Sequence, residues 1–290
     1  MDMQNYETFK QILEEELKTF LPNHFKVVDF SIRTVTKANT VRDGVQIRVD
    51  NNNIGPVIYL DFLYEMYQET GDITNVLDEI LAIASQPAPG RIQQMRFDLS
   101  KDGLSQKIVF GFLNTEMNEE FLKTHPHREW HDISIAYRCV NNSDDGLISS
   151  FWITQEIAEQ ADLQEKDMYK LALVNTPNLL PEHVDIEQNY FSNEMVVVGT
   201  SFIMYPDLLS EISKYYYDDD LYLIPSSRHF MLAFPKYIGS EHVNEIVNQI
   251  RRDEDFRKDE DFLSSSVYYY NRKSNEVTLA CTGSLLEAGA

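Results

Sequence analysis

The sequence has 290 residues, of which 43% are hydrophobic and 12% aromatic, enough for one large domain or two modest packed domains. Its 47 acidic and 25 basic residues give a formal net charge of -22, and no local basic patch offsets it, so we expect no direct nucleic-acid binding. No apolar run approaches the roughly 20 residues that a bilayer span needs, and the two cysteines form no Cys-x-x-Cys pair, so we expect a cytoplasmic protein without a membrane segment.

The first elements are predicted to be a helix and a β-hairpin. Apolar residues recur at helical spacing over residues 6–21, and we expect Pro22 to end that helix because proline has no backbone N–H to donate. Alternating apolar residues then predict two antiparallel strands. Between them, Asp43-Gly44 is a dipeptide typical of a hairpin turn.

A third strand and two more helices complete a predicted small domain. The apolar run at 57–60 predicts a short strand, and Asp61 is expected to cap the helix that follows, with Phe62 on its inner face. Gly71 is expected to end this helix and Asp72 to cap the next one. The predicted order is therefore α-β-β-β-α-α, with the helices covering one face of a small antiparallel sheet.

A connection between two domains is predicted at SQPAPGR, residues 85–91, where two prolines and a glycine are typical of an exposed segment. Beyond it, alternating apolar residues predict several antiparallel strands, while Thr154 is expected to cap one helix and Pro206 to open another. We therefore predict an α+β fold with mainly antiparallel sheets and helices packed on one face. It is expected to form two sub-domains, 1–86 and 87–290.

Five segments match one family in the same order along the chain: IGPVIYLDFLYEMYQ, PHREWHDISIAYR, ITQEIAEQADLQEKDMYKLALVNTPNLLP, LYLIPSSRHFMLAFP and LSSSVYYYNR. Over nearly its whole length the chain resembles the bacterial domain-of-unknown-function family 5688, which is common in gut anaerobes. The resemblance implies a shape shared across the family and a cytoplasmic setting, but no particular activity. In relatives the fourth segment usually contains Pro-Ser-Ser-x-His-Glu, so Phe230 stands here in the place of a glutamate.

The stretch PSSRH contains a possible nucleophile and a possible base. Ser226 or Ser227 with His229 would suit a hydrolase, since serine catalysis needs a base within hydrogen-bond reach of the hydroxyl group. No G-x-S-x-G elbow surrounds these serines. The alternative is a structural turn, in which Pro225 ends one strand and the serine hydroxyl groups satisfy backbone groups of the bend.

The stretch HPHREWHD contains possible metal ligands. His125, His127 and His131 are candidates because zinc accepts histidine, although there is no His-Glu-x-x-His helix and no paired cysteine set. The alternative is a polar loop that leads into a strand. His127 and Asp132, together with Arg228 of PSSRH, are the candidate ligand-binding residues. We expect no cofactor.

These patterns favour a non-enzymatic module that binds a protein or a small ligand. Its acidic surface is expected to suit a basic protein partner. The alternative is a hydrolase that uses Ser226 or Ser227 with His229. The sequence leaves open the oligomeric state and whether PSSRH and HPHREWHD meet in one concave site, which a functional pocket requires and a turn does not.

Overall fold

The computed structural model describes a chain with several gaps, namely residues 3–26, 28–37, 40–49, 57–85, 98–142, 148–180, 190–192, 194–216 and 218–281. The chain divides into two compact units, Met1–Arg96 and Phe97–Ala290. Residues 86–91 of the predicted connection lie outside the described residues. The predicted boundary between 1–86 and 87–290 therefore stays a prediction, as does the independent folding of residues 1–86. No described helix is both long enough and apolar enough to cross a membrane.

The described residues of the N-terminal unit form three helices and three strands in the predicted order. They are α1 Met3–His24, β1 Val28–Lys37, β2 Thr40–Val49, β3 Val57–Tyr59, α2 Leu60–Thr70 and α3 Ile73–Ser85. The strands form an antiparallel sheet in the order β1-β2-β3. Gly71 ends α2 as predicted, with a φ of 67°. Asp72 caps α3 as predicted, because its Oδ1 accepts a hydrogen bond from the Thr74 N–H at 2.9 Å.

One side of α1 supplies much of the core of this unit. Four side chains spaced four residues apart are fully buried: Phe9, Leu13, Leu17 and Leu21. They belong to one cluster with buried side chains of the sheet and the other two helices, such as Ile47, Leu63 and Ile80. Each fully buried side chain of this kind stabilises the fold by roughly 1.5–3 kcal/mol. The unit therefore has an apolar core formed by its own residues.

The predicted hairpin turn at Asp43-Gly44 is wrong. Both residues lie inside β2 and pair with β1, which continues to Lys37. Asp43 is held in the strand because its carboxylate accepts hydrogen bonds from Lys10 Nζ and from Thr34 Oγ1, both at 2.7 Å. These contacts with distant residues outweigh the local turn preference of the dipeptide.

The predicted end of α1 at Pro22 is also wrong. The helix continues to His24, and the Phe25 N–H still donates to the Leu21 carbonyl oxygen at 3.0 Å. Nδ1 of His24 contacts the Phe20 carbonyl oxygen at 2.9 Å. Proline removes only one backbone donor. Because the contacts of His24 and Phe25 with the preceding turn are kept, the last turn remains helical.

The start of α2 differs from the prediction as well. Tyr59 occupies the cap position without a side-chain hydrogen bond, and Asp61 lies in the first turn. A carboxylate at that position still interacts favourably with the positive end of the helix dipole. Phe62 is 49% exposed, because the buried side of α2 carries Leu63 and Tyr64 instead.

The C-terminal unit contains the remaining described elements. Its helices are α4 Lys101–Ser105, α5 Glu119–Leu122, α6 Gln155–Gln160, α7 Glu165–Leu179, α8 Pro206–Tyr215, α9 Ser240–Arg252 and α10 Glu254–Lys258. Its strands are β4 Ile108–Asn114, β5 His127–Trp130, β6 Ile133–Asn142, β7 Ile148–Trp152, β8 Tyr190–Phe191, β9 Val196–Gly199, β10 Leu221–Ile224, β11 Phe230–Pro235, β12 Val267–Asn271 and β13 Glu276–Cys281. A short 3₁₀ helix, Thr200–Met204, follows β9.

These strands form two antiparallel sheets. In the four-stranded sheet, β6 pairs with β4 along most of its length, while β5 and β7 pair with its two halves. The six-stranded sheet has the order β13-β12-β10-β11-β9-β8. Together with the sheet of the N-terminal unit they confirm the predicted α+β fold with antiparallel sheets.

The two faces of the four-stranded sheet have different roles. Side chains alternate between faces along a strand, so Phe110 and Tyr137 lie on one face and Gly111 and Arg138 on the other. The first face is part of the main apolar core of the unit. The second face carries Trp152 of β7, which pairs with Arg138, and it forms one wall of the site described next.

Candidate anion-binding pocket

The stretch PSSRH connects β10 to β11 and is fixed by backbone contacts. Ser226 and Ser227 are each only 2% exposed. The Ser226 carbonyl oxygen accepts from the Leu263 N–H at 3.0 Å, and Ser227 Oγ accepts from the His229 N–H at 3.2 Å. The Ser227 carbonyl oxygen accepts from Thr200 Oγ1 at 2.7 Å. These contacts are typical of a structural turn, in which a serine hydroxyl group satisfies a backbone group of the bend.

Asp261, on the segment after α10, holds the two basic residues of this turn. Its Oδ1 accepts a hydrogen bond from Arg228 Nη2 at 2.6 Å and lies 3.1 Å from Nε2 of His229. Burial opposes ionisation of Asp261, but Arg228 and His229 outweigh it and hold the pKa of the carboxyl group below its usual range. Among the described contacts, the His229 ring therefore lies within hydrogen-bond distance of Asp261. In the same set of contacts it meets neither the Ser226 nor the Ser227 hydroxyl group.

Arg138 reaches the same place from β6. One guanidinium nitrogen donates to Ser150 Oγ, and the group lies 5.6 Å from the Trp152 ring centroid. Burial lowers the pKa of Arg138, and the charge of Arg228 lowers it further. In the described part of the chain no carboxylate forms an ion pair with Arg138. It is a partly buried cation, and the charged group of Arg228 near it has the same sign.

A backbone feature makes room for these groups. Gly111 of β4 faces Trp152, and a Cβ atom at position 111 would lie 2.5 Å from Cη2 of the indole and 3.2 Å from Cδ of Arg138. Only glycine lets the ring and the arginine stem pack this closely against the strand. Gly111 therefore determines where Trp152 lies.

Together these residues line a small pocket of about 150 Å³. Its lining includes Gly111, Arg138, Trp152, Ser201, Arg228 and His229. A space of this volume holds only a small ligand of a few non-hydrogen atoms. The Nε atom of Arg228 is buried without a hydrogen-bond partner among the described residues. The pocket therefore has two guanidinium groups whose donors the described protein groups only partly satisfy.

The histidine candidates of HPHREWHD lie elsewhere. His125 and His127 line a separate groove of about 660 Å³, with Nδ1 of each against a backbone carbonyl oxygen, of Phe121 at 2.7 Å and of His125 at 2.9 Å respectively. His131 adopts a φ of 61° in the β5–β6 turn, and its ring packs near Trp130. Within the described ranges, no group of three histidine, cysteine or acidic side chains is placed to hold a metal ion.

Asp132 lies away from both the pocket and the histidine groove, in the turn between β5 and β6. Its carboxylate accepts hydrogen bonds from the hydroxyl groups of Ser264 at 2.6 Å, Ser266 at 2.8 Å and Tyr268. These bonds tie the β5–β6 turn to the chain that leads into β12. Asp132 borders a cavity of about 840 Å³ that also contains Arg257. Of the residues weighed from sequence, the structure brings only Arg228 and His229 together in the pocket.

The other pocket residues escape a reading of the sequence alone. Gly111, Trp152 and Ser201 carry no motif, and they come from separate segments. The same holds for Asp261, which contacts the arginine and the histidine of PSSRH beside the pocket. Arg138 does give a local signal, because it is the one charged residue in the alternating strand ISIAYRCV. A charge in such a strand is costly to bury unless a partner compensates it, so it marks a position that needs explanation.

Comparison with known proteins places the chain in a family. The model of the family of unknown function DUF5688 matches residues 6–190 and 187–272, and the chain belongs to this family. The resemblance noted from the five segments is thereby confirmed. The matched ranges include all six pocket residues named above. No curated protein and no solved structure gives a significant match.

Proposed function

We propose that this protein binds a small anionic ligand in the pocket between Arg138 and Arg228. The observation that carries the proposal is the pair of guanidinium groups in one pocket, of which Arg138 has no carboxylate partner in the described chain. Two cations brought together and withdrawn from water are costly to a fold, since buried charges are normally paired. A bound anion would remove that cost.

The donors suit an anion in type as well as in charge. Guanidinium groups present fixed pairs of N–H donors that match the two oxygens of a carboxylate or phosphate group. Arg228 is held in place by Asp261 and Arg138 by Ser150, so the donors are oriented before the ligand arrives. Such orientation lowers the entropy lost on binding.

The hydrolase alternative has less support. Both serine side chains are buried within the turn, and Ser227 Oγ already accepts the His229 backbone N–H. The ring of His229, which would have to serve as the base, bonds Asp261. A catalytic serine would need the ring to turn away from Asp261 and the hydroxyl group to become accessible.

The net charge suggests a separate proposal, a basic protein partner for the acidic surface. It rests on the formal charge of -22 alone. A cytoplasmic location likewise remains a proposal. Neither affects the argument for the pocket, which depends on short-range contacts.

The test is a titration followed by nuclear magnetic resonance. The chain has two tryptophans, so the indole N–H region of the spectrum should hold two signals, and Trp130→Phe would assign them. We expect sodium acetate, propionate or phosphate, at constant ionic strength, to shift the Trp152 signal and arginine Nε–H signals in a saturable way. Arg138→Gln should abolish the saturable shift, while Arg128→Gln, the same change at an arginine paired with Glu165 outside the pocket, should not. A folded wild type without a saturable response to any of these anions would refute the proposal.

A further inference from the structure

Asp261 affects the charge of the pocket as well as the position of Arg228 and His229. Its backbone is fixed on two sides, since its N–H donates to Asp259 Oδ1 at 2.7 Å and its carbonyl oxygen accepts from the Arg228 N–H at 2.8 Å. Its carboxylate is held by Arg228 and His229. It therefore contributes a fixed negative charge beside the pocket. Because this charge pairs with Arg228, it cancels one of the two positive charges near the ligand.

The charge balance limits the charge of the ligand. With the His229 ring counted as neutral, Arg138 and Arg228 contribute two positive charges and Asp261 one negative charge, which leaves one positive charge. A monoanion would neutralise this set. A dianion would leave an excess negative charge next to Asp261, and the overall charge of -22 would add to the repulsion.

The size and walls of the pocket limit the size and the polarity of the part of the ligand outside its anionic group. Its volume of about 150 Å³ is well below the roughly 300–1,000 Å³ of sites that enclose a drug-sized ligand. One wall is the Trp152 ring packed against Gly111, which offers apolar surface and few hydrogen-bond donors. A fully polar oxyanion would leave oxygens unsatisfied against this wall, whereas a short hydrocarbon tail would pack on it.

We infer that the ligand is a monoanionic carboxylate with a short hydrocarbon tail, about the size of propionate, and that Asp261 selects it over dianions. The carboxylate lies between the guanidinium groups of Arg138 and Arg228, and the tail contacts Trp152. Asp261 acts through Arg228 and through its own charge, so it is a residue that determines specificity. This inference rests on the proposed anion binding.

The test compares propionate with inorganic phosphate on the full chain at about pH 8, where a phosphate group is mostly dianionic. Affinities are measured from the saturable shift of the Trp152 indole signal at constant ionic strength. We expect the wild type to bind propionate on the order of tenfold more tightly than phosphate. Asp261→Asn should reduce this ratio by about tenfold, since it removes one negative charge. Asp255→Asn, the same change at an exposed position of α10, should leave the ratio unchanged.

Each outcome decides a different part of the inference. Phosphate binding at least as tightly as propionate in the wild type would overturn the carboxylate class while leaving anion binding intact. An unchanged ratio in folded Asp261→Asn would remove the role of Asp261. Failure of both anions to bind would refute the proposed function itself. The wild-type comparison decides the ligand class even if Asp261→Asn does not fold.

Discussion

Gly111 and Trp152 are in such close contact that the strand has no room for a methyl group between them. Gly111→Ala should therefore displace the indole ring and the Arg138 stem, at a cost of about 1–3 kcal/mol in the free energy of unfolding. We expect the Trp152 indole signal to move and anion binding to weaken. Denaturant unfolding and the indole spectrum measure both effects. Gly71→Ala is a useful contrast, because it strains a left-handed residue with open space around it and should leave the Trp152 signal in place.

Arg138 provides a test that separates binding from stability. If its charge is retained for a ligand, Arg138→Met should abolish anion binding and leave the free energy of unfolding unchanged or about 1 kcal/mol higher, because it removes a cation that has no carboxylate partner among the described residues. Arg228→Met should instead destabilise the fold by about 1–3 kcal/mol, since Asp261 loses one of its two side-chain partners and keeps only His229. A loss of more than about 2 kcal/mol in Arg138→Met would identify Arg138 as a structural residue.

Asp132 should matter for the fold and little for the pocket. Asp132→Ala removes the acceptor of three hydroxyl groups and should cost about 3 kcal/mol or more in urea unfolding. Anion affinity of the protein that remains folded should stay at the wild-type value. Loss of affinity without loss of stability would instead place Asp132 in the binding site.

Cys139 should be unreactive while the chain is folded. Burial raises the pKa of this thiol to about 11, and the thiolate is the form that reacts with alkylating agents. In a Cys281→Ser variant, iodoacetamide at about pH 8 should label the protein only in denaturant. Rapid labelling under native conditions, read by mass spectrometry, would show that β6 opens readily or that the thiol is accessible.

The N-terminal unit should fold without the rest of the chain. Among the described residues, its apolar cluster lies between Tyr6 and Ala84, so a fragment of residues 1–86 keeps all of these side chains. We expect a dispersed amide spectrum from this fragment and from a longer one that ends at Arg96. Collapsed signals in both would contradict the predicted independence of 1–86.

Local signals in the sequence predicted the features that depend on neighbouring residues. Thr154 accepts a hydrogen bond from the Ile157 N–H at 3.2 Å, and Pro206 opens α8, because capping and proline geometry act within one turn. The Asp43-Gly44 turn failed because Lys10, far away in the chain, holds Asp43 in a strand. Local preference has no access to such a contact.

The pocket could not be predicted from the sequence for the same reason, because it depends on contacts between residues that are far apart in the chain. Arg138, Arg228 and Asp261 lie on three segments that are far apart in the chain and that the fold brings together. PSSRH was recognisable as unusual, and its arginine and histidine do face the pocket. Its serines drew attention to a nucleophile because a sequence shows residue types and not which atoms are buried.

The most direct measurement is a crystal structure of the full chain grown or soaked with propionate. We expect density for a carboxylate between the guanidinium groups of Arg138 and Arg228, with the tail against Trp152. We also expect the Arg138→Gln protein to show none under the same conditions. A pocket that holds only water at saturating propionate, or a ligand bound only elsewhere on the chain, would contradict this expectation.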